Sequence, residues 1–393
     1  MAETEVKEAI AMELSKSPFA CSSLTQLSGG TANFVYRGVL SRPLPDGTRT
    51  VIVKHAEDYL ASNAEFKLSA KRCLVEEVAL RALDGMPNET TTKEDSDSGQ
   101  KYRITVKSPR ILHFSPSTYT QVMEDLPGAV DLKTFLLSPD FSERISKEWT
   151  LSIGRTLGAW LRSFHVWSAH PAQADLAKQL AENTVMRDLK FSINYDSLVS
   201  MIDAYPDILG DSHTRSVFKK VRDAAAAELE DTYTQDATIG PIHGDFWSGN
   251  VLIPKTALEV QALSPMTATP LFITDWELAQ RGTRALDLGQ MIAELYMLKH
   301  YKDIDAGLWV IEGLAEGYGH QHITQEMAFR TLIHVGVHFI FWGSKILGWG
   351  SQEQVRSLVE LGREIVVGAW ERDRTWFDGR LGSFFSGLGS KWT

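Results

Sequence analysis

His243-Gly244-Asp245-Phe246-Trp247-Ser248-Gly249-Asn250 places a carboxylate and a carboxamide on one short loop, and the apolar run Val251-Leu252-Ile253 follows at once. Phosphoryl transfer needs this pairing: Asp245 would accept a proton from, or orient, an attacking hydroxyl, and Asn250 would hold a metal ion. The bland alternative is a loop whose Asp and Asn only satisfy turn backbone. A second acidic pair stands in Ile273-Thr274-Asp275-Trp276-Glu277. Residues two apart on an extended chain share a side, so Asp275 and Glu277 would converge at a strand end. Oxygen ligands of this kind suit a hard cation such as Mg²⁺. Solvated acids closing a strand are the competing reading.

Phosphate must be held as well. Leu27-Ser28-Gly29-Gly30-Thr31-Ala32-Asn33-Phe34 sets two glycines in a strand turn, where backbone N–H groups approach phosphate oxygens closely. Ser28, Gly29, Gly30, Thr31 and Asn33 are therefore the candidate phosphate loop. No GxxxxGK[ST] string and no GxGxxG opening a helix occurs, which removes the P-loop and dinucleotide-fold readings. Lys54 closes the apolar run Val51-Ile52-Val53, where a kinase lysine reaches the α- and β-phosphates. Glu76 shares a helical stripe with Cys73, Leu80 and Leu83, and a carboxylate there is costly unless a cation meets it. Lys54 is the natural partner, whereas Glu77 stands four residues before Arg81 as a solvated pair. Main-chain groups near Glu124 and Leu126, in Met123-Glu124-Asp125-Leu126-Pro127-Gly128, are placed to read adenine. For the acceptor, some of Trp247, Trp276, Trp342 and Trp349, beside acids such as Glu277, would suit a cationic aromatic or an amino alcohol; the competing reading places at least two of these tryptophans in the core. His334 and His338 have the spacing of a metal pair but no evident third ligand, and read as core residues.

These groups need a scaffold. Residues 1–17 read as an amphipathic helix. Leu24 to Leu40, bent at Gly29-Gly30, and Thr50 to Lys54 read as a hairpin, and Phe66 to Leu83 has helical spacing. Residues 88–100 are polar and read as a loop. Strands follow at Arg103 to Val106 and Tyr119 to Met123, and the chain turns helical from Leu132 to about Asp231. Two short strands, Val251 to Ile253 and Leu271 to Thr274, flank an insert at 254–270, and the remainder is helical. The fold class is α+β, with an N-terminal part over 1–127, a helical part over 128–393 and a hinge near Asp125 to Gly128.

The chain has 393 residues, 43% hydrophobic and 23% charged, with a formal net charge of −10. That balance argues against nucleic acid or an anionic membrane as a partner. Cys21 and Cys73 are the only cysteines and have no CxxC spacing, which fits a reducing compartment and a cytoplasmic protein. The acidic N-terminus lacks signal-peptide character, and Thr331 to Gly350 is interrupted by His334, His338, Ser344 and Lys345, so a buried helix is expected rather than a membrane span.

In their joint order, LSGGTANFVYRG, VIVKH, the helix with Glu76, VMEDLPG, HGDFWSGNVLI and ITDWELAQRGTRALDLG resemble the aminoglycoside phosphotransferase and choline kinase superfamily. Within it they are most similar to methylthioribose-kinase-like enzymes of the fungal 4-hydroxytryptamine kinase type. The matching motifs span Leu27 to Gly289. The resemblance implies a protein-kinase-like two-lobed fold, a small β-rich N-lobe and a larger helical C-lobe, with ATP in the cleft and Mg²⁺ beside it. By position, Asp245 would be the base, Asn250, Asp275 and Glu277 the metal ligands, and Lys54 with Glu76 the phosphate-positioning ion pair. Asp287 would brace the catalytic loop. The interval between Asn250 and Asp275 is longer than the family's, consistent with a loop insertion. The expected function is ATP-dependent phosphorylation of a hydroxyl on a small amine, amino alcohol or sugar-like molecule. A catalytically inactive nucleotide-binding relative is the alternative. A protein kinase is weakened by the missing D-F-G and A-P-E strings. The sequence leaves monomer against homodimer open.

Overall fold

The computed structural model describes residues 3–27, 30–94, 99, 101–139, 146–230, 238–257, 268–345 and 348–375. The chain divides into two compact units. The first comprises Met1–Met86, Ser108–Gly128 and Thr274–Glu277, and the second Pro87–Lys107, Ala129–Ile273 and Leu278–Thr393. Residues 87–107 thus belong with the later part of the chain, and four residues from the C-terminal half belong with the first unit.

The first unit is built on an antiparallel sheet in the order Cys21–Gln26, Phe34–Leu40, Thr50–His55, Thr120–Glu124, Ile111–Ser115. Alternation along it separates two faces. Phe34, Tyr36, Val51, Val53 and Val122 pack with Val6, Ile10 and Leu14, which recur every four residues on the helix Glu3–Leu14. Lys54, next to Val53, necessarily points to the other face. There the helix Arg72–Leu83 lies, pinned by Gln121 Nε2 donating to Cys73 O at 2.8 Å. This helix begins at Arg72, later than its sequence periodicity suggests. The preceding Asn63–Lys67 is a fully exposed strand paired with Tyr59–Leu60.

The second unit holds another five-stranded sheet, ordered Ala129–Asp131, Val251–Pro254, Thr269–Ile273, Lys101–Lys107, Glu89–Glu94. Glu89–Glu94 falls where the polar run was read as a loop. It is an edge strand whose threonines favour extended backbone and whose Lys93 and Glu94 face solvent. The strands Val251–Pro254 and Thr269–Ile273 pair directly, so both ends of the insert are anchored. Its residues 258–267 lie outside the described residues. Around this sheet the helices Lys147–Ser168 and Ala306–Tyr318 meet backbone to backbone. A methyl group at Gly154 would sit 2.2 Å from Val310 O, and one at Gly313 2.2 Å from Leu151 O. The helix Ala285–Lys302 is buried nearly throughout, yet carries Asp287, Gln290 and Glu294 on one stripe. No described helix is long and apolar enough to cross a membrane.

Candidate active site

In the first unit the strand lysine and the helix glutamate meet. Lys54 Nζ lies 2.9 Å from Glu76 Oε1 and 2.5 Å from Asp275 Oδ1. Asp275 has φ 67°, a left-handed conformation that aspartate tolerates better than most residues and that aims its carboxylate at Lys54. Trp276 N donates to Glu76 Oε1 at 3.3 Å, tying the 274–277 segment to the helix. Glu277 is buried, and its Oε2 accepts from Arg72 Nε at 3.0 Å and Asn33 Nδ2 at 2.8 Å. Arg72 also donates to Asn33 Oδ1 and to the carbonyls of Ala32, Glu57, Leu68 and Ser69. It therefore ties the end of the glycine loop to the acidic segment.

Carboxylate oxygens of Glu76, Asp275 and Glu277 lie within 4.8 Å of one another. Three acids face two cations, Lys54 and Arg72. Burial, with the charges of Asp275 and Glu277 adding to it, pushes Glu76 up to about 7 despite Lys54. Burial likewise raises Glu277. Burial disfavours the Lys54 ammonium, but Asp275 and Glu76 outweigh it and hold Lys54 protonated. A cluster with excess negative charge and an all-oxygen donor set fits a hard divalent cation. Asp275, with its side chain 34% exposed, is the member open to solvent.

The second unit presents Asp245 differently. Gly244 turns the loop at φ 78°, and a Cβ there would meet Leu278 O at 2.2 Å, so only glycine fits. Asp287 accepts from the backbone N–H groups of His243 at 2.9 Å and Gly244 at 3.0 Å. His165 Nε2 lies 3.1 Å from the same carboxylate. Asp245 Oδ1 then receives Lys190 Nζ at 3.1 Å and Gln290 Nε2 at 2.7 Å, while Asn250 Nδ2 donates to Oδ2 at 3.0 Å. Burial pushes Asp245 up, but the Lys190 charge, the Gln290 hydrogen bond and His243 reverse this and leave it below the ordinary range. Asp287 is held low in the same way, its burial outweighed chiefly by His165. Since Asn250 Nδ2 is committed to Asp245, metal ligation by Asn250 would use Oδ1.

The remaining expected residues divide clearly. Gly30 and Thr31 continue the glycine loop, with Thr31 O accepting from Ser62 N and Oγ, whereas Ser28 and Gly29 lie outside the described residues. The Asn33 carboxamide is taken up by Glu277 and Arg72, so any phosphate contact there would come from backbone. Glu124 closes its strand and its side chain accepts from Arg110 N at 3.1 Å. Leu126 follows Asp125, which receives Arg37 through two hydrogen bonds. Trp247 is half-buried and lies across Gly249. His334 and His338 are buried: His334 Nδ1 lies 3.0 Å from Tyr195 Oη and His338 Nε2 2.9 Å from Glu294. Arg72, Lys190 and Gln290 escaped the sequence reading. Arg72 alone left a trace, four residues before Glu76 on the same stripe.

A phosphotransferase called FrzJ, from a Cladobotryum species, is 32% identical over 362 residues, covering 92% of this chain and 91% of its own length. The chain belongs to this phosphotransferase family. The 4-hydroxytryptamine kinase of Psilocybe cyanescens is 24% identical over 358 residues, 90% of each chain. A choline/ethanolamine kinase family protein from Mesorhizobium loti superposes with TM-score 0.44 at 17% identity, over 97% of this chain and 98% of its own. No family model matches the sequence. The protein is thus a phosphotransferase, and its described residues form an α+β fold.

Proposed function

We propose that the chain transfers the γ-phosphoryl group of ATP to a hydroxyl of a small molecule, with Asp245 as the group that aligns and deprotonates that hydroxyl. The observation that carries this reading is the Asp245 carboxylate itself, held ionised by Lys190, Gln290 and Asn250 on a loop braced by Asp287. A depressed pKa makes Asp245 a weak base in the ground state, so its work is orientation first and proton acceptance late in the reaction. Lys54, fixed by Glu76, is assigned to the phosphates. Gly30, Thr31 and the backbone at Asn33 are assigned with it, and the Glu124 to Leu126 backbone to the base. Asp275, Glu277 and Asn250 Oδ1 are assigned to Mg²⁺. Mg²⁺ and ATP, when bound, supply the transferable group and the positive charge that offsets what develops on its oxygens.

The acceptor belongs to the class of small hydroxylated amines, amino alcohols or sugar-like molecules, and the name of the related 4-hydroxytryptamine kinase supports the hydroxylated-amine part of that range. Trp247, two residues from the base, is the aromatic surface we assign to it. The unpaired Cys21 and Cys73 favour a cytoplasmic setting. The test is ADP release from ATP and Mg²⁺ across a panel of hydroxylated amines, amino alcohols, thiosugars and aminoglycosides, with Asp245→Ala alongside. Acceptor-dependent ADP that vanishes in the variant is expected. ADP release that survives the substitution would remove Asp245 from the chemistry.

A further inference from the structure

Lys133 stands in the first turn of the helix Leu132–Leu137, behind Asp131, whose carboxylate accepts from Thr134 N at 2.8 Å. A cation at a helix N-terminus opposes the helix dipole, so the helix itself gains nothing from this lysine. Its ammonium instead lies 3.0 Å from Glu294 Oε2, 4.0 Å from the centroid of a Trp349 ring and 5.1 Å from that of Trp247. One carboxylate and two indole faces compose a cage for an alkylammonium ion. Glu294 is buried, and burial pushes its carboxyl up, but His338 and Lys133 hold it below the ordinary range. The Glu294 carboxylate is the acidic member of the cage, and Lys133 pairs with it.

The cage lies close to the base. Gln290 and Glu294 are four residues apart on Ala285–Lys302 and so are stacked neighbours, roughly 5–6 Å between their Cβ atoms. Gln290 donates to Asp245 Oδ1, and Trp247 follows Asp245 by two residues. An acceptor with its hydroxyl at Asp245 and an ammonium a few atoms away would direct that ammonium to the position Lys133 fills. We infer that Lys133 is a built-in plug of an ammonium cage, and that it makes the kinase reject acceptors bearing a small alkylammonium group at that distance from the reacting hydroxyl. Within the proposed acceptor class, the selected molecules present an uncharged group there, and any ammonium they carry stands at a different distance from the reacting hydroxyl. This deepens the proposed function and rests on Asp245 marking the acceptor hydroxyl.

Lys133→Met removes the charge and keeps the stem, and Lys133→Arg keeps the charge. Tetramethylammonium and choline are titrated into the full chain and followed by tryptophan fluorescence, with choline-dependent ADP release measured in parallel. The plug predicts binding at least tenfold tighter in Lys133→Met than in the wild type or Lys133→Arg, and loss of the gain when Glu294→Gln is added. Equal affinity in wild type and Lys133→Met, or a gain that survives Glu294→Gln, would overturn it. If Lys133→Met does not fold, Lys133→Gln takes its place with the same two outcomes. Asp245→Asn in the Lys133→Met background separates the two claims. Turnover lost with cation binding kept supports both. Turnover kept would fail the base assignment alone, and absent cation binding would fail the plug alone.

Discussion

Two buried groups of carboxylates, one in each unit, have opposite electrostatics. Around Lys54, three acids share two cations, and burial together with neighbouring like charge pushes Glu76 and Glu277 up. Around Asp245, each acid is matched by donors, and both half-buried Asp245 and fully buried Asp287 are pushed down. Burial alone does not decide a carboxylate's state; the count of donors and cations against neighbouring acids does. The first group has three acids to two cations, the imbalance behind its proposed Mg²⁺ assignment. The second matches its acids with donors, in keeping with the proposed role of Asp245.

The comparison breaks first at Arg72. This side chain is the hub of the first group, and Arg72→Ala would strip buried Glu277 of its ion-pair partner and leave Asn33 as a neutral donor, costing about 3–5 kcal/mol of stability in denaturant unfolding. Adding Glu277→Gln should recover part of the loss, because the stranded charge disappears. If Arg72→Ala unfolds at the wild-type midpoint, the ionic hub has no energetic meaning.

A smaller effect is expected at Lys190. Lys190→Met removes the cation that does most to lower Asp245, so the acid limb of the pH–rate profile should move to higher pH. The rate at neutral pH should fall roughly tenfold, about 1.4 kcal/mol in the barrier. A profile that does not move would detach Lys190 from the ionisation of the base.

The smallest effect sharpens the contrast directly. Folded Glu76 sits near 7 against an ordinary 4.5, so between those values the folded state holds the extra proton and loses stability as pH rises. Buried His165 is shifted down from 6.5, so the unfolded state takes up the proton first and its neighbourhood gains stability as pH rises through that region. Amide protection without nucleotide or metal, corrected for intrinsic exchange, should therefore fall in Arg72–Leu83 and rise in Lys147–Ser168 between pH 5 and 7. Parallel changes in both helices would mean that the two groups are not electrostatic opposites.

How much of this was legible in the sequence depended on separation along the chain. Lys54 and Glu76 are 22 residues apart, and each betrays itself locally, as a lysine ending an apolar strand and an acid on an apolar helix stripe. The Asp245 loop is contiguous and could be read whole. Lys190 meets Asp245 across 55 residues, Lys133 meets Glu294 across 161 and Arg72 meets Glu277 across 205, and no local pattern announces such pairs. Lys190 sits in an ordinary amphipathic helix, and Lys133 looks like a surface residue of a short one. The strand at Glu89–Glu94 was hidden for another reason: an edge strand is free to be polar, so composition alone reads it as a loop.

The central claim is that Asp245 acts in the transfer step and not in holding nucleotide. Single-turnover transfer from ATP to the best acceptor, measured with nucleotide affinity in Asp245→Asn, tests it most directly. A transfer rate lower by about 10²–10⁴-fold with ATP affinity unchanged is expected. Transfer within a few-fold of wild type, or a loss explained wholly by weaker ATP binding, would contradict it.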